Sequence, residues 1–171
     1  MRRVIAKCLA SDASDWTVLN TDTVNLTVDT STIFTDSGKV LEFDKTDGAA
    51  NTQYAAVYKT LEEDLRSFGP NDRICWLMRL DTTDVDYVLV RLGTDASNYV
   101  EYRFVDSSIT TGRWQLCWSK LAHGYATGTG LDWHKVRYIL VGAHFDAQDD
   151  AVADIFVDSI WIERALTVED D

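Results

Sequence analysis

The sequence predicts an all-β domain built as a two-sheet antiparallel β-sandwich, with at most one short helix. Three observations carry this reading. Short apolar runs recur at Ile74–Leu80, Tyr87–Leu92, Tyr99–Val105, Trp114–Trp118, Val136–Phe145 and Ile155–Ile162. Polar, Asp- and Gly-rich stretches punctuate them at Asp81–Asp86, Gly93–Ser97, Asp106–Gly112, His123–Gly130 and Asp146–Asp150. Many short strands at even spacing belong to sandwiches rather than to βαβ units. Finally, Asp154–Ile162 is apolar on both faces of a strand, which places it inside a sheet rather than at a rim.

Taken in order, Val4–Leu9 reads as a first strand or arm, so that residues 1–15 form an N-terminal segment before a domain over 16–165. Ser11–Asp15 is a loop. Trp16–Leu19 and Val24–Val28 are short strands, the second alternating Val24, Leu26 and Val28 with polar residues. Asp29–Ser37 is turn-rich, Val40–Phe43 is a strand, Asp44–Thr52 a polar loop, and Tyr54–Lys59 a strand again. Thr60–Phe68 is the one helix-like piece: Thr60 and Glu63 have capping-box spacing, and Leu61, Leu65 and Phe68 recur on one face. Asp132-Trp133-His134 makes a tight turn into the Val136 strand. Residues 166–171 form an acidic tail.

The closing strand sets one problem. Period-two alternation puts Phe156, Ile160 and Ile162 on one face and Ile155, Val157 and Trp161 on the other, with Asp158 in phase with the first set. A carboxylate on a buried face is costly unless it is paired, hydrogen-bonded or on a metal. The expected core comprises Trp114, Trp118, Val136, Ile139, Val141, Phe156, Ile160 and Trp161.

Composition narrows the function classes. With 171 residues and 46% hydrophobic content, the chain can bury a real core. Its net charge of −12 argues against nucleic acid and against anionic membranes. The start, Met1–Cys8, is too short and too charged for a signal peptide. No run approaches the roughly 20 apolar residues of a membrane helix. The expectation is a protein kept in the cytoplasm or assembled from there into something larger. Cys8, Cys75 and Cys117 are widely spaced and lack a C-x-x-C pair, which argues against a disulfide framework or a zinc site.

Catalytic patterns are missing. His123, His134 and His144 accompany no G-x-S-x-G serine. The acid clusters Asp81/Asp84/Asp86 and Asp146/Asp149/Asp150 read as solvated loops rather than as a glycosidase pair. No catalytic or cofactor-binding residue is therefore assigned, and the protein is read as a non-enzyme. Asp158 is the candidate metal ligand, for a structural calcium ion to which loop acids such as Asp12 and Asp15, after the first strand, could contribute; the alternative is that it accepts hydrogen bonds from backbone, Trp or Arg. Trp16, Trp133, Tyr125 and Tyr99 lie in or beside loops, where exposed rings would suit sugar stacking or a protein interface. Trp76, Trp114, Trp118 and Trp161 read as strand or core residues.

A set of motifs adds a resemblance. Leu92-Gly93-Thr94-Asp95-Ala96-Ser97-Asn98-Tyr99 precedes Gly112-Arg113-Trp114-Gln115, then Asp132-Trp133, then Asp154–Ile162 with its I-x-V-D-x-I-x-I pattern. Over residues 16–163 this order resembles jelly-roll domains, like non-catalytic carbohydrate-binding modules, that occur in tailed-phage virion proteins. Gln115 departs from the family's usual Asn. The resemblance implies a jelly roll, and a position for Asp158 that often binds structural calcium in related modules. It further implies a bacteriophage virion structural protein located in the virion after synthesis in the host cytoplasm. The first expectation is a capsid decoration or cement protein bound to shell subunits, itself a homo-oligomer with a trimer among the options. The alternatives are a tail or receptor-binding component, or a carbohydrate-binding module recognising a glycan.

Overall fold

The computed structural model describes residues 1–7, 14–30, 40–48, 50–105, 107 and 109–165. Cys8, Asp12 and the acidic tail lie outside these residues. Among the described residues, twelve strands form two antiparallel sheets that face each other. The first sheet, A, contains β1 (Arg2–Lys7), β3 (Thr23–Asp29), β4 (Val40–Lys45), β6 (Arg73–Arg79), β9 (Gln115–Lys120) and β12 (Val152–Glu163). Its order is β3-β4-β12-β6-β9, with β1 also on β12. The second, B, contains β2 (Thr17–Val18), β5 (Tyr54–Glu63), β7 (Val85–Asp95), β8 (Asn98–Val105), β10 (Tyr125–Thr127) and β11 (Val136–Phe145). Its order is β10-β8-β7-β11-β5-β2. The two-sheet sandwich is the architecture expected from the spacing of the apolar runs.

The core fills the space between the sheets. Sheet A contributes Phe43, Ile74, Trp76, Met78, Ile155, Val157, Ile160 and Ile162; sheet B contributes Val57, Val88, Val90, Leu92, Tyr102, Ile139, Val141 and Phe145. Period-two alternation sends these inward and their neighbours outward. Two buried polar groups tie down the loops. Asp22 accepts hydrogen bonds from the Ala50 and Thr52 amides at 2.8 and 3.3 Å. The Lys45 ammonium donates to the carbonyls of Gln148 and Asp150 at 2.8 and 2.7 Å.

Four local expectations are corrected. First, Thr60–Phe68 holds no helix: β5 continues to Glu63 along β11, from Tyr54↔His144 to Glu63↔Val136. A long partner edge outweighs one or two helical turns, whose nucleation is costly. Leu65 and Phe68 are buried all the same. Second, β12 does not alternate strictly. Val157 pairs Met78 and Ile160 pairs Trp76, so Asp158 and Ser159 together oppose Leu77. This bulge shifts the phase, and Ile155 and Val157 share the core side with Ile160 and Ile162, while Trp161 joins a separate cluster with Cys75 and Leu77. Third, Trp118 is 40% exposed and Trp114 half-buried, so neither belongs to the central core. Cys117 is the β9 residue that enters it. Fourth, Tyr125–Thr127 is a strand, pairing Glu101 to Tyr99, within a stretch read as loop. Of the two readings of the N-terminal segment, strand or arm, the strand is the one formed over Arg2–Lys7, which pairs along β12.

Candidate functional site

The outer face of sheet B carries the densest set of side chains able to bind a ligand. Cross-strand register lays it out in four rows. The first holds Thr127, Tyr99, Gly93, Tyr138 and Thr60. The second holds Tyr125, Glu101, Arg91, Leu140 and Tyr58. The third holds Arg103, Leu89, Gly142 and Ala56. The fourth holds Val105, Tyr87, His144 and Tyr54. Each set follows from alternation out of phase with the core, so Tyr87-Leu89-Arg91 and Tyr99-Glu101-Arg103 face outward together.

The third row is the floor. A Cβ on Gly142 would run into the Ala55 carbonyl and the Ala56 side chain, so only glycine lets β11 lie this close to β5. Aromatic rings stand over that floor. The Tyr54 and Tyr87 hydroxyls meet at 3.1 Å. His144 stacks on Tyr87 at 4.7 Å with planes 4° apart and meets Tyr54 edge-on at 4.7 Å. Its Nδ1 lies 3.0 Å from Asp86 Oδ2, so the acid beside His144 is Asp86 rather than the sequence neighbour Asp146. Tyr58 and Tyr138 pair at 5.7 Å.

Charge is concentrated at one point. Glu101, 3% exposed, accepts from Arg91 Nε at 2.7 Å and from Arg103 Nε at 2.6 Å. Each guanidinium also lies between two tyrosines. Arg91 sits 4.5 Å from the Tyr99 ring and 5.1 Å from Tyr54; Arg103 sits 4.2 Å from Tyr125 and 4.4 Å from Tyr87. Burial works against the charge of both arginines, and the bonds and field of Glu101 outweigh it, raising both above the ordinary arginine value. Burial also raises the tyrosines: Tyr138 is pushed up to about 12, and Tyr87 higher still, with help from the Tyr54 hydroxyl. The face therefore presents neutral hydroxyls and fixed guanidinium donors. A cleft of about 580 Å³ adjoins the first row, between Tyr58, Tyr138, Arg137 and the Thr94–Ala96 turn.

Of the aromatics expected at the surface, Tyr99 and Tyr125 lie on this face, Tyr125 at 56% exposure. Trp16 does not: it is buried, with the Lys59 ammonium 5.1 Å from its ring. Trp133 lines a cavity of about 530 Å³ at one end of the sandwich with Phe68, Pro70, Leu121 and Leu131. Tyr54, Tyr58, Tyr87, Arg91, Glu101 and Arg103 went unrecognised in the sequence. Their signal was present as polar and aromatic residues alternating with Val88, Val90, Val100 and Tyr102.

Asp158 is 1% exposed, at the β12 bulge. Its Oδ1 accepts from the Ser159 hydroxyl at 3.0 Å. Its Oδ2 is enclosed and has no hydrogen-bond partner among the described residues. The alternative of backbone, Trp or Arg donors is thus not realised there. An orphaned carboxylate oxygen fits a cation ligand. However, Asp158 joins no group of three ligands among the described residues, and Asp15 is exposed. The acids that do converge are Glu42, Asp44 and Asp154, whose ligand oxygens lie within 4.8 Å of one another. Two bulges with positive φ, at Asn25 and Asp154, bring them together. Burial, then the hydrogen bond and charge of Asp154, raise Glu42 to about 7. Cys75 and Cys117 are buried, and burial lifts both thiols above the ordinary value, as expected of inert packing residues. Among the described residues no helix is long and apolar enough to cross a membrane.

No family model matches the chain, and no curated protein does. Solved structures do. A family 30 carbohydrate-binding module of a cellulosomal cellulase of Clostridium thermocellum superposes with a TM-score of 0.63 at 14% identity, over 100% of this chain and 99% of that one. A family 11 carbohydrate-binding module from Clostridium thermocellum, in complex with a β-1,3-1,4-mixed-linked tetrasaccharide, gives 0.55 at 12%, over 89% and 90%. An exo-β-agarase gives 0.62 at 12%, over 90% of this chain but only 23% of that longer one. The fold is accordingly the jelly roll of carbohydrate-binding modules, which agrees with the resemblance read from the motifs as far as fold is concerned.

Proposed function

We propose that the protein binds a glycan, without catalysis, on the outer face of sheet B. The observation that carries this is the tyrosine–arginine layer around Glu101: flat rings for sugar faces, and fixed donors for hydroxyls, on an open surface. The fold shared with carbohydrate-binding modules supports the same reading, and favours it over the capsid-decoration role expected from the sequence. Affinity electrophoresis against mixed-linked β-glucan and a panel of other polysaccharides tests it. Retardation by at least one glycan is expected, lost in Tyr58→Ala and Tyr99→Ala. A panel with no retardation would refute it.

A virion role, with shell or tail proteins as partners, is the second reading. Leu116 and Trp118 are 52% and 40% exposed on β9, whose outer edge pairs with no strand among the described residues. Such an edge suits strand addition by a partner. Under this reading the protein raises the heat stability of capsids to which it is added. Asp158 is proposed as one ligand of a structural cation in either case.

A further inference from the structure

We propose that the glycan is acidic, and that its carboxylate or sulfate groups are received in a cavity at the β8/β10 side of the same face; this rests on the glycan-binding reading. The cavity, of about 380 Å³, lies where sheet B meets β9 of sheet A. Arg103, Lys120 and His123 line it together with Tyr87, Tyr125 and Trp118. Among the described residues no carboxylate lines it. That is unexpected in a chain of net charge −12 with 28 acids.

The acid nearest in the network is already engaged. Glu101 holds Arg103 through Nε, which fixes the guanidinium plane between Tyr87 and Tyr125. The terminal nitrogens of Arg103, the Lys120 ammonium and the His123 ring have no ion-pair or hydrogen-bond partner among the described residues. An arginine fork pinned at Nε offers its outer edge to a planar anion, and bonds to a charged acceptor are roughly twice as strong as neutral ones. The acids of this face lie away from the cavity or are engaged: Glu101 is bonded to both arginines, Asp86 lies on His144, and Glu62 and Asp95 line the cleft at the first row, whereas the cavity gathers Arg103 and Lys120 with no carboxylate among the described residues of its lining. The local field is therefore positive while the molecule as a whole is negative. Beyond a Debye length of about 8 Å at physiological salt, the distant acids are screened. The rings beside the cavity select a sugar ring carrying the anion over a bare polyanion.

Matched ligands test this by titration calorimetry on the full chain. Oligogalacturonate is compared with its fully methyl-esterified form, and dextran sulfate with dextran, which separates carboxylate from sulfate. The expected result is about tenfold tighter binding of one acidic member than of its neutral partner at low salt, a gap that narrows as salt rises. The double variant Lys120→Met/His123→Gln, on the cavity rim, should erase that preference and keep the melting temperature. Equal binding of acidic and neutral members, or a preference that survives the double variant, overturns the inference and leaves neutral glycan binding standing. Polyglutamate competing as well as the acidic glycan also overturns it. Failure of every acidic and neutral glycan to bind overturns the glycan reading itself.

Discussion

The outer faces of the two sheets both carry aromatic rings and arginines, yet they are built for opposite ends. On sheet A, Trp161, Cys75 and Leu77 form a nearly buried cluster with Trp114 against it. Arginines lie over its rings: the Arg2 guanidinium is 4.0 Å from the Trp161 ring, Arg73 4.5 Å from Trp118 and Arg79 5.6 Å from Phe156. The guanidinium groups cover the rings, and Arg73 Nε is itself enclosed, so this face largely seals itself, with Leu116 and Trp118 left open at the β9 edge. On sheet B the rings are tyrosines, and the arginines over them are each held through Nε by Glu101. That arrangement keeps hydroxyls and guanidinium edges pointing outward. The difference teaches that ring count alone does not mark a binding surface; what matters is whether the polar ends of the layer are satisfied within the protein.

Two substitutions break the comparison most strongly. Trp161→Ala should cost about 3–5 kcal/mol of stability in urea unfolding, as loss of a buried aromatic does, without changing glycan affinity. Tyr58→Ala should do the converse, weakening binding by about 2 kcal/mol, or ~30-fold, with a smaller loss of stability. If the two variants behave alike, the division of labour between the faces is wrong.

Glu101→Ala attacks the node of sheet B. It strands Arg91, whose side chain is 12% exposed, and frees the more exposed Arg103. A loss of about 3 kcal/mol is expected, falling mostly on Arg91, because removing one partner leaves a buried charge uncompensated. Glu101→Gln should recover part of it. Equal damage from both variants would mean that the charge alone counts, because glutamine keeps the side chain's volume and loses only its charge.

Asp158 offers a test with opposite signs. If Oδ2 carries a cation, Asp158→Asn lowers stability by roughly 1–3 kcal/mol and removes any effect of a chelator on the melting temperature. The expected result is that lowering, mirrored by chelation of the wild-type protein. A more stable Asp158→Asn would mean the enclosed carboxylate is simply an unpaired burden.

The smallest effect belongs to the Glu42, Asp44 and Asp154 group. Glu42 is raised to about 7 in the folded protein from an ordinary carboxylate value of 4.5. The folded state therefore holds its proton more tightly than the unfolded chain. Its contribution is full below about pH 4.5 and is lost as pH rises through about 7. Melting curves should show stability declining over that window, and Glu42→Gln should flatten the decline. An unchanged slope would assign it to other groups.

Much of this molecule was legible in the sequence, and the reason is periodicity. Ile74-Trp76-Met78 and Ile139-Val141 mark core faces because side chains alternate along a strand whatever lies opposite. The same rule failed at Asp158, where two residues oppose Leu77 and the phase slips. It also failed for Thr60–Glu63, whose local pattern suits a helix until β11 supplies a partner edge. The sheet B face was hidden for a related reason. Tyr54, Tyr87, Arg91 and Arg103 sit on different strands, and nothing local says that β8, β7, β11 and β5 are neighbours.

By itself, then, the sequence determined strand content, the sandwich class and the inert cysteines, all of which follow from alternation and composition. Only the tertiary structure decided which strands adjoin, where bulges reset the phase, and that one glutamate holds two arginines among tyrosines. Those are matters of register between distant segments, set by cross-strand hydrogen bonding and core packing that no short window of residues contains.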